Sequence, residues 1–141
     1  MPGDRRQSRI LAMQALCQWD VQRDESAEAL DDFRAAQENT DTIAGYARGL
    51  VKAFWAQRQG VDDRIAAAAT NWDLSRLSPI ERNVMRVAIV ELLDENVPPN
   101  VALDEAIEIG REYGGKDSPR FINGVLDVIL KRLQRKRKDD G

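Results

Sequence analysis

Apolar residues recur every three or four positions along most of this chain, which is the spacing of one helix face. The clearest stripes are Ile10, Met13, Leu16 and Trp19, then Leu50, Val51, Phe54 and Trp55, and finally Phe121, Ile122, Val125, Leu126 and Ile129. No run of β-branched residues alternates with polar ones in the period of a strand. The sequence therefore predicts an all-α fold, packed as a compact bundle with short connections.

The stripes and their breaks predict about seven helices. The expected order is Asp4 to Gln22, a short helix over 27–36, a longer one from N-caps at 39–42 through Trp55, an alanine-rich one from Val61 to Asn71, then 79–94, 100–113 and one that opens at Ser118. Gly60 is expected to break or kink the chain between the third and fourth helices. Gly114-Gly115 is expected to end the sixth.

Ser78-Pro79-Ile80-Glu81 is the best-defined helix start in the chain. Ser78 suits the N-cap and Glu81 the third helical position, which makes a capping box, and proline suits the first position because it lacks an N–H. The helix that follows is apolar nearly all round, so we expect it to be central and the most buried. Ser118-Pro119 repeats this start before the last helix.

Asn123-Gly124 is typical of a two-residue hairpin turn, yet the apolar stripe of the last helix continues on both sides of it. We therefore expect a helix here. Glycine inside a helix costs about 1 kcal/mol relative to alanine, so something should offset it. Close packing of the central helix against Gly124 is the first explanation, with Asn123 bonded to a neighbouring loop or cap. A backbone left open to a partner is the second.

With 141 residues, 43% of them apolar and 32% charged, the chain fits a single globular domain over 1–141. The formal net charge is −3, but cations gather at both ends, with three Arg in residues 1–9 and six Lys or Arg in 131–138. A basic N-terminal arm (1–9) and a flexible basic C-terminal tail (about 134–141) on an acidic body suggest a polyanion held at a defined place. For the tail alone, a solvated, frayed end is the simpler interpretation.

Candidate catalytic and metal-binding residues are scarce. The chain has no His and a single Cys, Cys17, which excludes the commonest general base and any intramolecular disulfide and fits a reducing cytoplasm. No signal peptide, membrane-length apolar run or glycine-rich phosphate loop is recognisable. Glu91, inside the apolar central helix, is expected to form a structural ion pair with Arg86 or Lys52 rather than to act as an acid. The sequence predicts a protein that is not an enzyme, with no catalytic residue, metal or cofactor.

Binding chemistry is better represented than catalysis. Arg5 and Arg9 are spaced i, i+4 with Arg6 beside them, and Gln14 adds a neutral donor further along the same helix. Guanidinium groups match phosphate oxygens in geometry and charge, so an arginine arm suits contact with a nucleic-acid backbone. Three arginines alone are a weak signal.

Four segments together resemble the NusB family of bacterial transcription antitermination factors. They are "RRQSRILAMQALCQWD" (5–20), "RLSPIERNVMRVAIVELL" (76–93), "VPPNVALDEAIEIGREYG" (97–114) and "SPRFINGVLDVILK" (118–131). The resemblance is most specific in the last third of the chain, where the Phe-Ile-Asn-Gly-Val-Leu-Asp block follows the glycine stop. Residues 24–64 match only as helix. The family is small and all-α, in agreement with the fold predicted from periodicity.

The resemblance implies binding of the single-stranded boxA element of ribosomal RNA leader transcripts. It also implies a heterodimer with NusE, a small-subunit ribosomal protein, that joins the transcription elongation complex and promotes read-through of terminators. The family's arginine-rich arm maps onto Arg5, Arg6 and Arg9. The loop before the last helix, with Lys116 and Arg120, supplies secondary candidates for RNA contact.

Partner contacts are less well defined by the sequence. Glu81, Arg82 and Arg86, just after the cap of the central helix, are candidates for partner binding, although the capping box and pairs along the helix explain them as well. Cys17 stands where relatives often carry an aromatic residue, which puts base stacking there in doubt. Asp104 stands where the family usually has Asn.

Three alternatives stay open from the sequence. The chain could be a NusB-like protein-interaction module with weak or no RNA binding, because its arm is sparse. It could, less plausibly, be the N-terminal domain of a ribosomal RNA cytosine methyltransferase, although no cofactor loop or nucleophilic Cys motif follows. A homodimer, which some relatives form, could hide the arm.

Overall fold

A computed structural model describes residues 3–23, 40–70 and 77–140. The described residues form five α-helices and no strand, which confirms the all-α prediction but not the predicted number of about seven helices. They are α1 (Asp4–Gln22), α2 (Asp41–Ala68), α3 (Pro79–Leu93), α4 (Pro99–Tyr113) and α5 (Ser118–Asp140). None of these helices is long and apolar enough to cross a membrane. The short helix predicted over 27–36 lies outside the described residues.

Helix α3 is the centre of the bundle. It packs against all four other helices, and every residue from Asn83 to Leu92 is buried. A helix that is apolar nearly all round can bury its whole circumference only in such a position, so the prediction of a central helix is confirmed. The core around it includes Met13, Phe54 and Leu126, each at most 1% exposed.

Two boundaries differ from the sequence prediction. Gly60 does not end a helix, and α2 runs continuously from Asp41 to Ala68, where two helices were predicted. Val61 and Ile65, directly after it, are both 0% exposed, and their burial offsets the cost of one glycine in the helix. Helix α5 continues to Asp140, so residues 134–140 form regular helix where a flexible tail was expected.

The packing role predicted for Gly124 is wrong. Asn123 and Gly124 are both exposed, and a methyl group added at Gly124 would meet no atom within 4 Å. A glycine that does permit close approach between two helices is Gly110 on α4, where an added Cβ would collide with the buried side chain of Ile122. Helices α4 and α5 therefore meet at Gly110, and Asn123-Gly124 faces solvent. Of the two explanations for that pair, the open backbone remains.

The two Ser-Pro starts are joined through one carboxylate. Ser78 caps α3 as predicted, accepting a hydrogen bond from the Glu81 N–H at 3.1 Å. The Glu81 carboxylate accepts from the Ser78 hydroxyl at 3.1 Å and from the buried Ser118 hydroxyl at 2.8 Å. Ser118 Oγ in turn accepts from the Gly115 N–H at 2.9 Å. Glu81 thus ties the start of α3 to the start of α5.

Candidate nucleic-acid interface

The three arginines of the N-terminal arm lie in the first turn and a half of α1, and their environments differ sharply. Arg5 is exposed and stacks its guanidinium 3.7 Å from the centre of the Tyr46 ring on α2. Arg6 is exposed as well, with its Nε donating to Glu105 on α4 at 2.9 Å. Two of the predicted contacts are therefore at the surface, each resting on a neighbouring helix.

Arg9 is not a surface residue. Its side chain is 7% exposed, and it donates from Nε to Glu91 at 2.7 Å and from Nη1 to Glu105 at 2.9 Å. Two of its three nitrogens donate to carboxylates inside the protein, and a guanidinium this buried cannot meet a phosphate. The prediction that Arg9 contacts RNA is corrected: it is the core partner of Glu91.

Glu91 does form the buried ion pair predicted for it, but with Arg9 and not with Arg86 or Lys52. Its second oxygen accepts a 2.6 Å hydrogen bond from the Tyr46 hydroxyl. Burial, together with this hydrogen bond and the negative charge of Glu91, raises the pKa of Tyr46 to about 12. The phenol therefore stays protonated and holds the ring on which Arg5 rests.

Glu105 is the carboxylate that ties the arm to α4. Burial alone would raise the pKa of Glu105, but the hydrogen bond from Arg6 and the charges of Arg6 and Arg9 outweigh it and lower the pKa. Glu108 and Glu112 on the same helix lie close enough to act on the charge of Arg6. The basic arm thus rests beside an acidic face of α4 and is partly neutralised.

The remaining RNA candidates lie outside the arm. Gln14 is half-buried and follows Arg9 by five residues on α1. Lys116, in the loop after α4, and Arg120, in the first turn of α5, are both exposed. Helix α4 runs between the arm and Lys116, because Arg6 bonds Glu105 near the middle of this helix and Lys116 follows its end. Arg5, Arg6, Lys116 and Arg120 are thus the candidates at the surface.

The partner-binding candidates on α3 are largely engaged inside the protein. Arg86 is 3% exposed: its fork binds both oxygens of Asp62 on α2 at 2.9 Å, and Nη1 donates to Asp20 on α1 at 2.7 Å. Arg82 donates to Asp20 at 3.1 Å, and Glu81 forms the bridge described above. Arg86 is therefore corrected from a surface contact to a clamp that joins three helices.

Cys17 is half-buried against this cluster. Asn83 donates toward its sulfur at 3.4 Å, and Asn83 also bonds Asp20 at 2.8 Å. Burial raises the pKa of the Cys17 thiol, against a lowering by the Asn83 hydrogen bond, so the thiol stays protonated at neutral pH. Across the described ranges, no cluster of residues could hold a metal ion.

Sequence reasoning did not find three residues that hold the arginines of α1 and α3 in place: Tyr46, Glu105 and Asp20. The spacing of Tyr46 fits the apolar stripe of α2, and the two acids look in the sequence like any others of the acidic body. Each partner lies far away in the chain, for example Arg6 and Glu105 at a separation of 99 residues. The one available signal was Glu91, a carboxylate inside an apolar helix. Such a residue needs a cationic partner, but the sequence does not identify that partner.

Comparison with known proteins agrees with this architecture. The model of the NusB family matches residues 6–131. The transcription antitermination protein NusB of Desulforapulum autotrophicum is 42% identical, covering 97% of this chain and 99% of the relative. The protein of the same name from Anaeromyxobacter dehalogenans is 39% identical over 99% of each chain. Both relatives are named as transcription antitermination proteins.

Solved structures share the fold. T. maritima NusB superposes with a TM-score of 0.79 at 35% identity, covering 90% of each chain. A structure of antitermination factors NusB and NusE in complex with dsRNA matches with a TM-score of 0.83, covering 94% of this chain and 99% of that one. At 23% identity, this match shows only that the two proteins share a fold. From the family match and the nearly full-length relatives, this chain belongs to the NusB family.

Proposed function

We propose that this protein is a bacterial transcription antitermination factor of the cytoplasm. It binds the single-stranded boxA element of ribosomal RNA leader transcripts together with NusE, and the complex promotes read-through by RNA polymerase. Family membership over residues 6–131 supports the activity. The exposed cations Arg5 and Arg6 support the RNA contact.

One observation carries the RNA part of the proposal: Arg5, exposed at the surface, is held in place by a neutral side chain. Its guanidinium lies over the Tyr46 ring, so it has a fixed position before RNA arrives and keeps its positive charge. A fixed guanidinium loses less conformational entropy when it meets a phosphate. Lys116 and Arg120 are two further exposed cations available to the RNA.

The exposed Asn123-Gly124 pair suits a bound partner. With open space above Gly124, the backbone of another molecule can approach α5 closely. The Asn123 amide, itself exposed, adds a donor and an acceptor at that place. We assign this stretch of α5 to the partner surface in place of Arg86.

The test is a titration of labelled boxA RNA with and without NusE at several salt concentrations. If Arg5, Arg6, Lys116 and Arg120 each meet one phosphate, the slope of log K against log salt is about −3, since each single-strand contact contributes about 0.7. Replacing Arg5 and Arg6 together with Ala should reduce the slope by about 1.4. A double variant of Arg111 and Lys131, which pair with neighbours on their own helices, is the matched control. An unchanged slope in the arm variant would show that the arm is not the RNA site.

A second function is favoured by the neutralisation of the arm. Arg9 forms a buried ion pair with Glu91, and Arg6 is bonded to Glu105. The arm therefore presents less net positive charge to RNA than its sequence suggests. These contacts fit a NusB-like interaction module that binds NusE and has weak or no affinity for RNA. The same titration separates the two: binding of NusE with no binding of boxA RNA, with or without NusE, establishes the module.

A further inference from the structure

A groove between the C-terminal halves of α2 and α5 carries cations that the arm does not explain. Its volume is about 410 Å³. Its floor is apolar, formed by Ala67, Ile129 and Leu133. Its rim holds Arg64, Arg132 and Lys136 together with one acid, Asp63, and the backbone of Gly60. A basic rim suits the backbone of a single nucleic-acid strand, because phosphates meet the cations. The floor has no aromatic residue among the side chains that line it, so it offers bases apolar contact without stacking.

None of the three cations of this rim forms an ion pair within the described part of the chain, although Asp63 lies among them. Arg64 donates to the Gly60 carbonyl at 3.0 Å, which fixes it along α2 without neutralising its charge. Arg132 and Lys136, one turn apart on α5, form no ion pair within the described part of the chain. Asp63 accepts a hydrogen bond from Gln59 at 2.8 Å. This contrasts with the arm, where carboxylates hold both Arg6 and Arg9.

The neighbouring cations of α5 do have other tasks. Lys131 pairs with Asp127 at 2.9 Å. Arg137 donates to the Leu92 carbonyl at 2.8 Å, which satisfies the end of α3. The basic stretch of α5 is therefore not a uniformly solvated charge run. One face closes the bundle, and the face with Arg132 and Lys136 borders the groove.

The groove lies far from the arm. Tyr46, which carries Arg5, is near the start of α2, and Arg64 is eighteen residues further along the same helix. At about 1.5 Å per residue the separation is about 27 Å along the helix axis. A strand that reaches both places must extend well beyond one short recognition element. Arg132 and Lys136 also lie outside the 6–131 stretch matched by the family model.

We propose that the α2–α5 groove is a second binding site for single-stranded RNA, which holds the phosphate backbone of RNA flanking the recognised element. The contact is independent of sequence, because its cations meet phosphates and its floor offers an apolar surface to any base. It rests on the proposed RNA-binding function only for the identity of the strand. The groove makes an extended transcript bind more tightly than a short one.

The test uses labelled oligouridylates of about 10 and 30 nucleotides with the full-length chain, titrated at several salt concentrations. We expect Arg132→Ala combined with Lys136→Ala to reduce the salt slope for the longer strand by about 1.4, at about 0.7 per lost phosphate contact. The Arg111→Ala and Lys131→Ala double variant removes the same charge outside the groove and should leave the slope unchanged. Circular dichroism and thermal unfolding are the controls that check whether both variants fold.

The outcomes separate this site from the arm. If the salt slope falls in the groove variant and stays at the wild-type value in the Arg5 and Arg6 double variant, the result supports the groove as an RNA site and refutes the arm as one. The reverse result refutes the groove. Equal effects of the groove variant and its charge-matched control mean a nonspecific charge effect and overturn the proposal. If the groove variant loses binding of a polyglutamate peptide but not of the long oligouridylate, the occupant is an acidic protein segment and the proposal is wrong.

Discussion

At the scale of single residues, arginines that look alike in the sequence have opposite roles. Arg5 and Arg6 point outward, and Arg9, only one helical turn further, is a buried partner of Glu91. Arg5 and Arg9 lie on the same side of α1, because residues four apart share one face of a helix. They differ because the first turn of α1 lies at the edge of the bundle, whereas Arg9, one turn later, lies inside it. An arginine cluster in a sequence thus predicts a basic arm without saying which member is at the surface.

We predict that Arg9→Ala destabilises the fold by about 3–5 kcal/mol, because it leaves a carboxylate buried without its cation. Arg5→Ala should cost about 0.5–1 kcal/mol, the contribution of a cation–π contact at an exposed site. Chemical unfolding monitored by circular dichroism measures both. Equal, small losses in the two variants would show that Arg9 is at the surface after all. Arg9→Met combined with Glu91→Leu should recover much of the stability, since no unpaired charge is left.

At the scale of helices, local chemistry was readable and long-range pairing was not. The cap at Ser78, the end of α1 and the glycine end of α4 depend on a few adjacent residues, and the structure has them where the sequence predicts them. Gly60 and Gly124 were misjudged because their effect depends on what packs beside them. Nothing in the sequence around Gly110 showed that Ile122 would face it, whereas the pattern around Gly124 suggested a contact that does not exist.

Arg86 joins α1, α2 and α3 through Asp20 and Asp62, and the pKa of Asp20 is the handle for testing that clamp. Burial alone would raise the pKa of Asp20, but hydrogen bonds from Arg86 and Asn83 and the nearby cations outweigh it and lower the pKa. A lowered carboxyl pKa in the folded state contributes stability that is fully present above the unfolded value of about 3.9. That stability is lost as the pH falls through the lower folded value.

We therefore expect Asp20→Asn to be less stable than the wild type at pH 7 and to show a flatter decline of stability below about pH 5. Unfolding free energies measured between about pH 7 and pH 2 test this. Asp127→Asn, which removes an exposed carboxylate paired with Lys131 on the same helix, is the control and should follow the wild-type curve. A decline as steep in Asp20→Asn as in the wild type would place the acid sensitivity of the fold elsewhere.

At the scale of the whole molecule, the distribution of charge compensation matters more than the net charge of −3. The N-terminal arm rests beside Glu105, Glu108 and Glu112 of α4, whereas the groove bordered by Arg132 and Lys136 has one acid, Asp63, among the residues that line it. RNA that approaches the arm must displace Glu105 from Arg6. The acid thus competes with phosphate for the same guanidinium and sets how strongly the arm binds.

Removing that competitor should strengthen RNA binding. We expect Glu105→Gln to raise the affinity for boxA RNA several-fold, because Arg6 then meets phosphate without first breaking a charge-assisted hydrogen bond. Glu108→Gln removes the same charge from the same helix but frees Arg111 instead, so its gain should be limited to the smaller, screened effect of net charge. Titrations at low and physiological salt distinguish the two, since the bulk-charge effect disappears with salt and the direct competition persists. Arg9 keeps Glu91 as a partner in the Glu105 variant, so the core pair survives. If both variants gain equally, Arg6 is not the guanidinium that RNA competes for, and the arm binds through Arg5 alone.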